Sequence, residues 1–126
     1  MELKNKTILI TGASTGIGKS IAKKFINKGA KVIVFGINKP DYKVEFYKVD
    51  IRNESEIKNT ILKIKKIDIL INNAGIVKVA KLEKTSTDIL NDIININFKG
   101  VFLMCKYSIP KISQGGCIIN ISSIAG

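Results

Sequence analysis

Apolar residues along the chain follow two rhythms. Short continuous runs, Ile8-Leu9-Ile10, Val32-Ile33-Val34-Phe35 and Ile69-Leu70-Ile71, suit strands buried on both faces of a sheet. Between them apolar positions recur every three or four residues, the spacing of amphipathic helices. In order, the pattern predicts a strand over residues 6–10 and a helix over 16–28. That helix has Ile17, Ile21, Ala22 and Phe25 on one stripe and Gly29 at its C-terminal cap. Strands follow at 31–35 and 46–49. Asn53, three residues before Glu56, reads as a capping box for a helix that carries Ile57, Ile61 and Ile64 on one face. A fourth strand covers 68–71. A long helix runs over 87–109, closed by Pro110, with Ile93, Asn97, Gly100, Val101, Met104 and Ser108 facing inward. Gly115-Gly116 reads as a turn before a fifth strand at 117–121.

Strand and helix alternate in the order expected of a parallel, doubly wound α/β sheet with right-handed crossovers. One link departs from that order. Residues 36–45 are too few for a crossover of a dozen or more residues, and Pro40 argues against a helix there. If the second and third strands are neighbours, an extended loop must join them. With no repeats and no linker, residues 1–126 read as a single domain.

Composition changes this picture little. At 45% hydrophobic, the 126 residues can bury a core, which excludes a disordered chain. The N-terminal residues carry no secretory signal, and no apolar run approaches the ~18 residues of a membrane span. A soluble, cytoplasmic protein with no membrane partner is expected. Cys105 and Cys117 lack metal-ligand spacing, and the chain has no histidine, so two buried reduced thiols and no metal are expected. Lysine and arginine outnumber acids 21 to 10, a net charge of +11. The lysines are scattered in runs of at most two, Arg52 is the only arginine, and no aromatic interleaving accompanies them. A specific nucleic-acid partner is not expected, only weak attraction to polyanions at low salt.

Candidate chemistry gathers at the carboxyl ends of the strands, where open parallel sheets bind ligands. The first strand runs into Thr11-Gly12-Ala13-Ser14-Thr15-Gly16-Ile17-Gly18, and a helix runs out of it. Strand, glycine turn and helix together present free backbone N–H groups and a helix dipole to a phosphate. The second strand ends at Gly36, the third at Asp50-Ile51, the fourth at Asn72-Asn73-Ala74-Gly75 and the fifth at Ser122-Ser123. Asn97 stands on the apolar stripe of the long helix, where an amide must find hydrogen bonds. Less specific readings exist for each: Ser14 as a solvated turn serine, Asp50 as a capping acid, Asn97 as a core amide, and both serines as turn residues.

Thr-Gly-x-x-x-Gly-x-Gly at 11–18, Asp50, Asn-Asn-Ala-Gly at 72–75, Asn97 and Ile-Asn-Ile-Ser-Ser at 119–123 together resemble the short-chain dehydrogenase/reductase family. The likeness covers the whole chain in order. It implies a Rossmann-type fold, truncated after strand five, that binds NAD or NADP. By the resemblance, Gly12, Ser14 and Ile17 hold the adenosine ribose and phosphates, while Gly16 and Gly18 permit close approach. Asp50 would bond the adenine amino group beside the Ile51 backbone. Asn73, Ala74 and Gly75 would line the nicotinamide ribose, and Asn72 would tie strands together. Asn97 would hold a water of a proton relay. Ser123, rather than Ser122, would be the catalytic serine, holding the oxygen of a small alcohol or carbonyl substrate.

Two departures from the family pattern stand out. Gly36 and Ile37 occupy the place where an acid would select NAD, and Thr15 replaces the basic residue often found in NADP-dependent members. Lys39 and the positive charge tip the balance slightly to NADP. The chain also ends at Gly126, ahead of the family's Tyr-x-x-x-Lys motif, which suggests a truncated coding region or a split gene. Tyr107, inside the long helix and followed by Ile109-Pro110-Lys111, is not in the place of that tyrosine. The expected function is therefore the cofactor-binding half of an NAD(P)-dependent oxidoreductase, inactive alone. The alternative is a non-catalytic dinucleotide-binding module or pseudoenzyme fragment. The short 36–45 link and the run Lys106-Tyr107-Ser108-Ile109-Pro110 resemble the sugar (aldose) dehydrogenase branch. Full-length family members usually form homo-oligomers.

Overall fold

The computed structural model describes residues 2–124. Five strands, β1 (Thr7–Thr11), β2 (Lys31–Gly36), β3 (Glu45–Lys48), β4 (Ile67–Asn72) and β5 (Ile112–Asn120), form one parallel sheet in the order β3-β2-β1-β4-β5. The helices are α1 (Gly16–Asn27), α2 (Glu54–Ile61), α3 (Thr87–Ile94) and α4 (Val101–Ser108). Because successive strand residues point to opposite faces, each apolar run supplies two cores. Ile8, Ile10, Val32, Val34 and Ile71 meet α1 through Ala22. Leu9, Ile33, Phe35 and Leu70 meet Ile57 and Ile61 of α2 and Leu103 and Met104 of α4. Thr7 to Thr11 is buried throughout, so β1 is the floor on which the glycine turn stands.

β2 and β3 are neighbours, paired from Ile33↔Glu45 to Gly36↔Lys48, with no helix between them. The link is the extended loop that its length requires. Asn53 accepts a hydrogen bond from Glu56 N–H at 3.2 Å. The Glu56 carboxylate returns to the Asn53 amide at 3.1 Å and to Asp50 N–H at 2.9 Å. The capping box therefore also fixes the end of β3.

Three expectations need correction. The long helix is not one regular α-helix: residues Asn95–Gly100 are wound as a π-helix between α3 and α4, and a short 3-10 turn, Ile109–Lys111, follows. Wider winding shifts the phase of the side chains. Asn97 is exposed rather than buried on the stripe, and Leu103 joins Gly100, Met104 and Ser108 on the buried side. Gly100 lies against α2's neighbour Ile51, whose Cδ1 would stand 2.8 Å from an added Cβ.

The Gly115-Gly116 pair does not end a loop. β5 begins at Ile112 and runs through both glycines, with a register shift opposite Ile67 and Ile69 and φ +75° at Gly115. A bulge absorbs the extra residues, and Gly116 has no room for a Cβ, which would lie 2.7 Å from Asp68 O. Finally, both thiols are free, but Cys105 is only half-buried and Cys117 is exposed. Cys117 lies on β5, an edge strand whose Ile118 and Ile119 are also partly exposed, as is Ile121 just beyond it.

Candidate functional site

Thr11, the last residue of β1, organises the carboxyl edge of the sheet. Its buried hydroxyl oxygen accepts from Asn73 N–H at 3.1 Å and Ala74 N–H at 3.0 Å. The Asn73 side chain returns the tie, donating to Thr11 O at 3.1 Å and Gly12 O at 3.0 Å. The glycine turn and the end of β4 are thus stitched edge to edge. Gly12 has φ +67°, and a Cβ there would sit 2.8 Å from Ala74 Cα. Gly18 is packed against the Asn73 amide and Gly12 O. These contacts give Asn73 a structural task that spacing alone did not reveal. Thr11→Val should leave two N–H groups without an acceptor and cost about 1–2 kcal/mol. Urea denaturation of the two proteins measures it.

α1 starts at this turn with its N-terminus unneutralised. Thr15 makes no side-chain cap, and no acid lies in the first turn. α2 is capped by Asn53 with Glu54 and Glu56 behind it, and α3 by Ser86 with Asp88. An exposed positive helix end beside a glycine turn is the arrangement that takes an anion.

A cleft of about 450 Å³ opens above the turn. One wall is Gly12, Ser14, Thr15, Ile17 and Gly18; the other is Gly36, Ile37 and Asn38; Val49 and Ile51 close one end, and Asn73, Ala74 and Gly75 the other. Ile17 is 67% exposed, an apolar side chain held in the open between this cleft and the next. The second cleft, about 870 Å³, joins Asn72 to Gly75 with Asn97, Ser122 and Ser123. The expected site residues all line one of these two clefts except two. Gly16 lies in the turn with open space around it, outside the cleft lining. Asp50 turns away: its carboxylate takes Arg52 Nε at 3.0 Å and an Arg52 terminal nitrogen at 2.7 Å. The Arg52 guanidinium holds the Asp50 carboxyl below its usual range, against the opposing effect of burial.

Asn97 forms a two-point clamp. Its Oδ1 accepts from Ile76 N–H and its Nδ2 donates to Ile76 O, both at 2.8 Å. The π-helical turn thereby holds the segment that follows β4 and fixes the floor of the second cleft. Asn72 ties β4 to β5 through Asn120 Oδ1 at 2.8 Å and lies 3.4 Å from Cys105 Sγ on α4. None of the three tyrosines lines the Ser123 cleft. Tyr42 donates to Ala13 O, Tyr47 to Glu45 and Tyr107 to Glu54 on α2. The Tyr107 hydroxyl and the Lys106 ammonium both hold Glu54 below the usual carboxylate range.

An open parallel sheet with strand order 3-2-1-4-5, and an uncapped helix end at a glycine turn, define a Rossmann-type protein. Residues 6–126 match the family model for short chain dehydrogenase, and the chain belongs to that family of oxidoreductases. It resembles the ligand-free aldohexose dehydrogenase of Thermoplasma acidophilum with a TM-score of 0.93 and 37% identity, covering 96% of this chain and 50% of that one. A short chain dehydrogenase of Leptospira borgpetersenii, solved with bound NAD+, matches with a TM-score of 0.91 and 31% identity over 98% of this chain and 53% of that one. A 3-oxoacyl-(acyl-carrier-protein) reductase FabG of Thermotoga maritima is 34% identical over 144 residues, covering all of this chain and 58% of that protein. The chain spans 50–58% of the length of these relatives. Among the described residues no helix is long and apolar enough to cross a membrane, and no group of metal-ligating side chains gathers.

Proposed function

We propose that this chain binds the dinucleotide of an NAD(P)-dependent oxidoreductase that interconverts small alcohols and carbonyl compounds. The uncapped N-terminus of α1 carries the reading, since it is a positive helix end opening on a cleft. The turn and the first residues of α1 would hold the pyrophosphate. Ile51 would bound the adenine, and Ala74 and Gly75 the nicotinamide ribose. Asp50 would meet the adenine amino group only by leaving Arg52. When bound, the nicotinamide supplies or accepts the hydride. Ser123 would hold the substrate oxygen, and Asn97 would keep the floor of that cleft in place for a water. Proton transfer to or from that oxygen needs a further acid or base, because no tyrosine stands at the Ser123 cleft.

The chain by itself should therefore bind dinucleotide and turn nothing over. NADPH and NADH fluorescence titrations test the first half, and a panel of aldoses, 3-ketoacyl thioesters and simple ketones tests the second. Failure to bind either dinucleotide overturns the proposal. Binding with turnover overturns the requirement for a further proton donor. A protein extended to the length of its relatives should act on the panel; the short β2–β3 link favours aldoses as its substrates. Binding with no turnover even in that longer form would favour a non-catalytic module.

The β2 wall of the cleft, Gly36 to Asn38, has no carboxylate to repel a 2′-phosphate, so it would admit either cofactor. Lys39, exposed at the end of that wall, favours NADPH. Lys39→Ala should raise the NADPH dissociation constant about 3-fold and leave that of NADH unchanged, the scale of one exposed charge contact. A clear preference of the unsubstituted chain for NADH would remove this role of Lys39.

A further inference from the structure

The link between β2 and β3 supplies one wall of the dinucleotide cleft, yet it has no helix and no strand ladder of its own. Ile37 and Asn38 line the cleft. Such a wall stays in place only if the rest of the link is fastened elsewhere. Three contacts fasten it, all within five residues of Asn38. Pro40 is buried. Asp41 pairs with Lys19 in the first turn of α1 at 2.7 Å. The Tyr42 hydroxyl donates to the carbonyl of Ala13 at 2.7 Å. Ala13 is fully buried within the glycine turn, between Gly12 and Ser14 of the opposite wall. Lys19 and Lys23 of α1 lie 6.0 Å and 5.5 Å from the Tyr42 ring centroid, so two cations also hold the ring from the helix side.

We propose that residues 37–42 form a strap that sets the width of the cleft, with Tyr42 as its positioning residue for the adenosine half of the dinucleotide. The inference rests on the dinucleotide reading above. One hydroxyl joins the wall that carries Asn38 to the turn that would carry the pyrophosphate. The same bond occupies the Ala13 carbonyl, and so orients the Ala13–Ser14 peptide. Burial, with Asp41 beside it, pushes the Tyr42 phenol above its ordinary value, and it remains a donor throughout the neutral range. Tyr42 touches no reacting atom; it acts through the backbone of the turn.

Tyr42→Phe keeps the ring and removes only the hydroxyl, so it isolates this bond. The Kd of NADPH by fluorescence and of ADP-ribose by calorimetry should both rise about 3–10-fold, the worth of one hydrogen bond. Equal losses are expected because ADP-ribose contains the half that the strap meets. Amide exchange at Ser14 and Thr15 should quicken in the same variant without any ligand. Asp41→Asn, which loosens the outer pin, should raise both constants about 2-fold. A lower melting temperature with unchanged constants and unchanged exchange at the turn would make Tyr42 merely structural and overturn the strap. If the unsubstituted chain binds neither probe, the dinucleotide reading falls and the strap's role falls with it. If it binds both and Tyr42→Phe binds them equally well, the strap alone falls.

Discussion

Gly18→Ala should destabilise the folded chain by about 3 kcal/mol, whereas Gly16→Ala should cost roughly 1–2 kcal/mol of stability and yet lose most of the dinucleotide affinity. The two glycines stand two residues apart and differ in what surrounds them. A Cβ on Gly18 would collide with the Asn73 amide, stand 2.7 Å from Gly12 O and 3.0 Å from Ala13 Cα. Two of these three are backbone atoms that cannot rotate away. The stitch between the turn and β4 must open, and the melting temperature should fall roughly 10 °C. Gly16 has open space on all sides of the same position, and its only protein-borne cost is φ +59°. Its Cβ would enter the space beside the uncapped helix end, where a phosphate would lie. A rise of at least about 10-fold in Kd, some 1.4 kcal/mol, is expected. Thermal melts and NADPH titrations of both variants separate the effects. Equal binding by Gly16→Ala and the unsubstituted chain would move the phosphate site away from this turn.

The second large effect lies at the opposite edge of the sheet. Asp68 is buried at 4% exposure and accepts from Thr7 N–H at 2.8 Å, with Lys66 and Lys6 at 3.6 Å and 3.7 Å. Burial opposes its ionisation most strongly. The Thr7 N–H, the two lysines and the Ser113 hydroxyl together outweigh burial and hold the carboxyl below its ordinary value. A folded-state value that is depressed contributes stability at high pH and loses it in acid. Asp68→Ala should cost about 2–3 kcal/mol near pH 7, because the buried Thr7 N–H loses its acceptor. The difference should hold down to about pH 5 and shrink below about pH 4, as the carboxyl of the unsubstituted protein takes up its proton. Urea denaturation of both proteins across that range measures it. A difference that stays constant into acid would show that Asp68 contributes packing rather than charge. Asp68 is far from the ligand edge, so dinucleotide binding by the folded variant should be unchanged.

The apolar runs fixed the strands because a residue buried on both faces of a sheet must be hydrophobic, a constraint that acts locally. Asn53 and Glu56 announced α2 for the same reason: the partners of a capping box are three residues apart. The missing crossover helix was legible because a chain of that length cannot hold one. The π-helical turn was not, since its hydrogen bonds differ from α-helical ones by one residue and its side chains are compatible with either. The inward stripe assigned to Asn97 assumed regular winding, and the clamp on Ile76 depends on the irregular one. β5 began earlier than expected because a bulge lets a strand pass through Gly115-Gly116, and glycine pairs read locally as turns.

At the site, residue types at strand ends named the family, and the family model covering residues 6–126 agrees. The tasks of individual side chains were another matter. Asn73 is spent on the glycine turn, Asp50 on Arg52, the Thr11 hydroxyl on the N–H groups of Asn73 and Ala74, 62 and 63 residues away, and the Tyr42 hydroxyl on a carbonyl 29 residues away. By itself the sequence determined the alternation of elements, the parallel sheet and the glycine turn at a helix start, because each follows from spacing along the chain. Only the tertiary structure decided which polar groups remain open to a ligand. A hydrogen bond is settled by what stands within about 3 Å, and for Thr11, Asn73 and Tyr42 those neighbours are brought in from 29 to 63 residues away.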